Sequence, residues 1–160
     1  MGASRPPDGR VERIGGAVAR IVVGVDESEP ARAALEWACG EARYWEGPEL
    51  VVVHAWEYPY RNERSGRADL RAEMAEDAAA ALDDLAAAAR AAGGDALRIT
   101  PQLVEGSPRD ALVAAGQGAD LLVVGNRGRG GFATMLLGSV SHQVAQHAPC
   151  AVVIVRPEAV

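Results

Sequence analysis

Four glycines and two arginines fall within seven consecutive residues: Gly125, Asn126, Arg127, Gly128, Arg129, Gly130 and Gly131. They follow the apolar run Leu121, Leu122, Val123 and Val124, and the next helix is expected to open at Gly138 and Ser139. Glycine tolerates positive φ and lets main-chain N–H groups approach a ligand closely. Successive exposed N–H groups form a nest for anions, and the unpaired amides and dipole of a helix start favour phosphate. Arg127 and Arg129 add charge and bidentate hydrogen bonds. Composition alone leaves open a flexible loop whose arginines serve solubility. The position, after a strand and before a helix, favours a phosphate site, because open α/β sheets bind ligands there.

Other phosphate loops do not fit. A Walker A loop needs a lysine, and all 16 basic residues are arginine; a GxGxxG fingerprint would stand directly after the first strand. The lack of lysine also removes Schiff-base and lysine-base catalysis. Asp26 is the one evident base near the loop, and ATP hydrolysis also needs a placed water and charge stabilisation. Slow turnover is the most that is expected, and no catalytic residue is assigned. A triad of Ser139, His142 and Asp26 is conceivable, but no G-x-S-x-G elbow supports it. His142 and His147 stand five apart and diverge around a helix, so no metal site is assigned. The acidic residues Glu73, Glu76, Asp77, Asp83 and Asp84 read as a solvated helix face.

The elements that must position the loop can be read from periodicity. Residues 21–25, 50–56, 98–105, 121–124 and 151–155 form five apolar or β-branched runs. Between them lie helical stretches. One is capped by Ser28, has the stripe Ala34, Leu35, Ala38, Ala42 and Trp45, and stops at Gly47 and Pro48. A long one, over residues 66–92, carries Leu70, Met74, Ala78, Leu82, Leu85 and Ala89 and stops at Gly93 and Gly94. A third opens with a cap at Ser107, then Pro108 and Asp110, and a short one spans residues 139–147. Pro101 would cost a ladder hydrogen bond, which places the third strand at a sheet edge. Alternating helices and uniformly apolar strands predict one α/β domain, a doubly wound, Rossmann-like parallel sheet with helices on both faces.

The charge balance of 16 basic against 22 acidic residues, net −6, offers no basic footprint for nucleic acid and no polybasic membrane anchor. No apolar run approaches the roughly 18 residues that span a bilayer. Cys39 and Cys150 lie far apart in no metal or redox spacing and read as reduced, buried thiols. Residues 1–18 lack a continuous apolar core of a secretory signal and read as a flexible leader to a domain over 19–157. A cytoplasmic location is expected.

The spacing Gly125-x-x-Gly128, then nine residues, then Gly138-Ser139, resembles the nucleotide-binding signature of the universal stress protein family. The resemblance extends over about residues 20–156, through IVVGVDESEPARAALEWA, VVHAW, VEGSPRDALVAAG, ADLLVVGNRGRGG and LLGSVSHQVAQHAPCAVVIVRP in that order. It implies a five-stranded parallel sheet of order 3-2-1-4-5 and an ATP site, with or without Mg2+. Carried over by residue, Gly24, Val25 and Asp26 end the first strand beside the nucleotide, and Asp26 approaches the ribose or a phosphate-bound metal. Ala55 lines the adenine pocket, in place of a larger valine. Gly125, Asn126, Arg127, Gly128, Arg129, Gly130, Gly131, Gly138, Ser139 and the Val140 amide hold ribose and phosphates. Glu27, where many relatives have glycine, adds a negative charge near the phosphates. The resemblance also implies a regulatory ATP-binding stress module that pairs as a homodimer through the last strand, Ala151 to Val155. Two alternatives stand beside it. An ATP pyrophosphatase would carry an S-G-G-x-D-S-like first loop, where this chain has Gly24-Val25-Asp26-Glu27-Ser28; a nucleotide-free interaction module would use the glycine loop for docking.

Overall fold

The computed structural model describes residues 19–59, 68–129 and 136–157. Along these run β1 (Arg20–Val25), α1 (Glu29–Ala42), β2 (Glu49–Trp56), α2 (Ala68–Gly93) and β3 (Arg98–Glu105), then α3 (Pro108–Ala115), β4 (Leu121–Gly125), α4 (Ser139–His147) and β5 (Ala151–Val155). The strands form one parallel sheet in the order β3-β2-β1-β4-β5, as expected. Pro101 pairs with Val52 on edge strand β3, where its lack of an N–H is tolerated.

Why the inner strands read as continuous apolar runs is visible in the two cores. Successive side chains point to opposite faces, and both faces are covered. On one face Leu35, Ala38 and Cys39 of α1 and Leu82, Leu85 and Ala89 of α2 pack on Ile21, Val23, Leu50, Val52 and Val123. On the other, Ala111, Leu112 and Ala115 of α3 and Val144 of α4 pack on Val22, Val51, Val53, Leu122 and Val124. Burying such a side chain stabilises by about 1.5–3 kcal/mol, so the inner strands hold the sheet as a rigid platform.

From β1 the chain proceeds outward through β2 to β3, then returns to place β4 and β5 on the other side of β1. The connections thus diverge between β1 and β4, where Ile21 pairs with Leu121. A crevice at the carboxyl ends of the strands opens at such a switch point.

Local differences from the sequence reading have simple causes. Helix α1 ends at Ala42, so Trp45 packs against the core from the turn beyond it. Ser107 starts α3 with its carbonyl, which accepts the Ala111 amide, and its hydroxyl makes no cap bond. Along α2 the stripe is buried from Ala78 onward, while Leu70 and Met74 are half-buried. Gly94, at φ +69, closes that helix in the left-handed conformation that glycine adopts without cost. Cys39 is buried and Cys150 half-buried, both as free thiols, and burial pushes both thiol pKa values up. The expected leader at 1–18 and the start of the long helix at 66–67 lie outside the described residues.

Candidate functional site

Two strand ends and one helix start meet at the switch point. The end of β1 supplies Gly24, Val25 and Asp26, the end of β4 supplies Gly125 to Arg129, and α4 supplies Gly138, Ser139 and Val140. Gly130 and Gly131 lie outside the described residues.

The loop's ends are tied together by Asn126. Its carbonyl accepts the Gly138 N–H at 2.7 Å, and its own N–H donates to the Val155 carbonyl at 2.7 Å. Ser141 Oγ lies 2.9 Å from the same Asn126 carbonyl and 3.0 Å from that of Gly138, and shares its hydrogen between them. These bonds set the start of α4 beside the end of β4. Gly138 is the N-cap, at φ −75 and ψ 168. The first amides of a helix have no intrahelical acceptor, so those of Ser139 and Val140 stand as donors at the loop.

The glycines act by proximity, not by unusual backbone. None of Gly125, Gly128 and Gly138 has a positive φ, so the conformational freedom of glycine is not used at these three positions. A Cβ on Gly125 would stand 2.6 Å from the Pro30 carbonyl carbon, so its bareness lets α1 approach β4. A Cβ on Gly138 would stand 3.3 Å from the Arg127 Cα. A Cβ on Gly128 would stand 2.8 Å from Asp26 Oδ2. Gly24 also serves packing, since its Cβ would meet the Leu112 methyls at 2.8 Å.

Asp26 crosses from β1 to the loop. Its Oδ2 accepts the Arg129 N–H at 3.2 Å, and its Oδ1 accepts the Ser28 N–H at 2.9 Å and the Ser28 hydroxyl. Ser28 Oγ in turn accepts the Ala31 N–H at 3.3 Å as the cap of α1. One serine therefore both starts the helix and holds the carboxylate, a second role that a capping pattern does not reveal. The donors leave Asp26 poorly placed as a base, and its bonds go to Ser28 and Arg129, with none to the conceived triad partners Ser139 and His142. The Arg129 guanidinium pairs with Glu27, Nη1 to Oε2 at 2.8 Å. Arg127 is half-buried at the loop's entry.

Ala55 lies apart from this group. It is half-buried on β2 and packs on the α3 and α4 side of the sheet, with β1 between it and β4. Strands spaced about 4.8 Å apart put β2 roughly 10 Å from β4, a span within the length of a nucleoside phosphate. His54 is buried on β2, two residues short of its end, and its Nδ1 lies 2.9 Å from the Val25 carbonyl. That bond fixes the peptide just before Asp26.

Two further observations bear on a ligand. Asn126 Oδ1 is buried without a hydrogen-bond partner; being an acceptor, it is the kind of orphan atom that a donor group of a ligand, such as a hydroxyl, satisfies. Among the described residues no group of three or more His, Cys, Asp or Glu side chains comes together to hold a metal. A separate groove of about 330 Å3 runs between α1 and α2, lined by Leu35, Cys39, Ala81, Leu85 and Ala88. Glu27, at its end, is the residue it shares with the loop site.

The chain matches the family model described as "Universal stress protein family" over residues 18–156. A universal stress protein of Thermus aquaticus, from the QAH/OAS sulfhydrylase 3' region, is 36% identical over 145 residues, covering 85% of this chain and 97% of that protein. A crystal structure of a universal stress protein in complex with cAMP superposes with a TM-score of 0.64 at 32% identity, covering 88% of this chain and 98% of that one. The Archaeoglobus fulgidus universal stress protein in complex with dAMP gives 0.61 at 25% identity, covering 85% and 96%. Several mycobacterial relatives are longer, and this chain spans about 45% of their length. No helix among the described residues is long and apolar enough to cross a membrane.

Proposed function

Because this chain belongs to the universal stress protein family, we propose that it binds ATP in the crevice between β1 and β4, as a regulatory ligand and not as a substrate for rapid turnover. The observation that carries this reading is the staple at Asn126, whose main-chain carbonyl gathers the glycine loop and the start of α4 while its buried side-chain oxygen Oδ1 has no partner. Relatives in complex with cAMP and dAMP support an adenine nucleotide as the ligand class. Two arginines beside the loop amides suit a ligand with several phosphates better than one with a single phosphodiester.

In this reading adenine rests near Ala55, Gly24, Val25 and Asp26 lie beside the ribose, and Gly125, Asn126, Arg127, Gly128, Arg129, Gly138, Ser139 and Val140 hold ribose and phosphates. Gly130 and Gly131 belong to the same loop. Magnesium, when present, would enter on the polyphosphate with Asp26 as the protein's carboxylate, and it would neutralise charge there. Hydrolysis is at most slow, since Asp26 is held by Ser28 and Arg129. The free thiols of Cys39 and Cys150 support a cytoplasmic setting. Calorimetric titration with ATP, dAMP and cAMP tests the reading. Saturable binding of ATP, tightest of the three, is expected; heats no greater than those of dilution for all three would refute it.

The homodimer belongs to the same proposal. Strand β5 is an edge of the sheet, with Ala151 exposed and Val152, Val153, Ile154 and Val155 half-buried. An apolar edge invites pairing, and antiparallel pairing of two copies closes a two-fold dimer. Sedimentation at micromolar concentration should give a dimer that an Ile154→Lys substitution converts to monomer. A monomeric wild type, or a dimer unaffected by that change, contradicts the edge assignment.

A further inference from the structure

The loop donors that a phosphate would use are engaged by carboxylates of the same chain. Asp26 Oδ2 holds the Arg129 amide at 3.2 Å and occupies the space that a Gly128 side chain would fill. The neighbouring residue, Glu27, holds the Arg129 guanidinium at 2.8 Å. A carboxylate and a phosphoryl group are the same kind of acceptor, so both cannot take these N–H groups together.

We propose that Glu27 is a specificity-determining residue: an internal competitor that withholds Arg129 and lowers this site's preference for polyphosphates over nucleotides carrying one phosphate or none. The inference rests on the adenine-nucleotide reading above. Asp26 is held in place by Ser28 whatever the ligand, since its Oδ1 bonds are made within its own turn. Glu27 has no such anchor. Its side chain is 52% exposed and that of Arg129 66%, so the pair is weak and opens readily when a stronger anion arrives. The cost of opening it falls on ligands that need Arg129. Ligands without a phosphate tail leave the pair intact. Once displaced, the Glu27 charge still stands beside the phosphates, and its repulsion grows with their charge.

The test is the Glu27→Gln variant, titrated with ATP, AMP and adenosine at roughly 0.05 and 0.5 M salt. Asp95→Asn, an exposed change of the same formal charge before β3 at the opposite end of the sheet, is the control. Loss of the pair and its repulsion is expected to raise ATP affinity about fivefold at low salt. The gain for AMP should be smaller, adenosine should be unchanged, and high salt should shrink the difference. Three results would overturn the inference while leaving the nucleotide reading standing. They are equal changes for all three ligands, an effect no larger than that of Asp95→Asn, or a loss of ATP affinity showing that Glu27 presents Arg129 to the phosphates. Failure of wild type and variant alike to bind any of the three would overturn the nucleotide reading and this inference with it.

Discussion

Gly128→Val is expected to fold as the wild type does and to lose ATP affinity by about a hundredfold or more, some 2.7 kcal/mol. The fold should survive because Gly128 is exposed and outside both cores. Binding should not. The new Cβ would stand 2.8 Å from Asp26 Oδ2, so Asp26 must leave the Arg129 amide or the loop must move outward. The two γ-methyl groups then fill the surface on which phosphates would lie, and their stiff χ1 offers no way aside. Gly138→Val should act similarly by a different route, pressing on the Arg127 main chain at 3.3 Å. Calorimetry with ATP, beside thermal unfolding of each variant, reads both effects. Wild-type affinity in both folded variants would remove this loop from the site.

The second large effect is expected from Arg127→Ala and Arg129→Ala together. A charge-assisted hydrogen bond is worth about 1.5–3 kcal/mol when desolvated, and exposure lowers that for Arg129. The double variant should therefore lose ATP affinity by about tenfold or more. ATP binding should be weakened and not erased, because the loop amides and the start of α4 remain, and adenosine affinity should be kept, because adenosine has no phosphate for the arginines to hold. ATP binding by the wild type should also fall more steeply with salt than in the variant, since screening acts on the charges removed. Equal losses for ATP and adenosine would mean that the arginines shape the pocket and do not read phosphate.

The bounds of β3, α4 and β5 were legible in the sequence because chain-breaking residues frame them. Gly106 follows β3, Gly138 precedes α4, and Pro149 precedes β5. The placement of the loop between a strand and a helix was legible for the same reason. What the glycines do was not. Spacing marks a close approach but not its partner, and Gly24 meets Leu112 while Gly125 meets Pro30, contacts made across the fold. Nor could patterning reveal that Asp26 bonds an amide 103 residues away, or that Ser141 joins Asn126 to Gly138. Such contacts depend on which polar atoms the packed sheet brings within about 3 Å of each other, and no local period encodes that.

The central claim is that adenine nucleotide binds at the β1–β4 switch point and not in the apolar groove between α1 and α2. Amide NMR during titration of the 15N-labelled protein with ATP tests it most directly. The expected shifts gather on Gly24, Val25 and Asp26, on Ala55, on residues 125–129, and on Gly138, Ser139 and Val140. Shifts centred instead on Leu35, Cys39, Ala81, Leu85 and Ala88, or an unchanged spectrum at millimolar ATP, would contradict it.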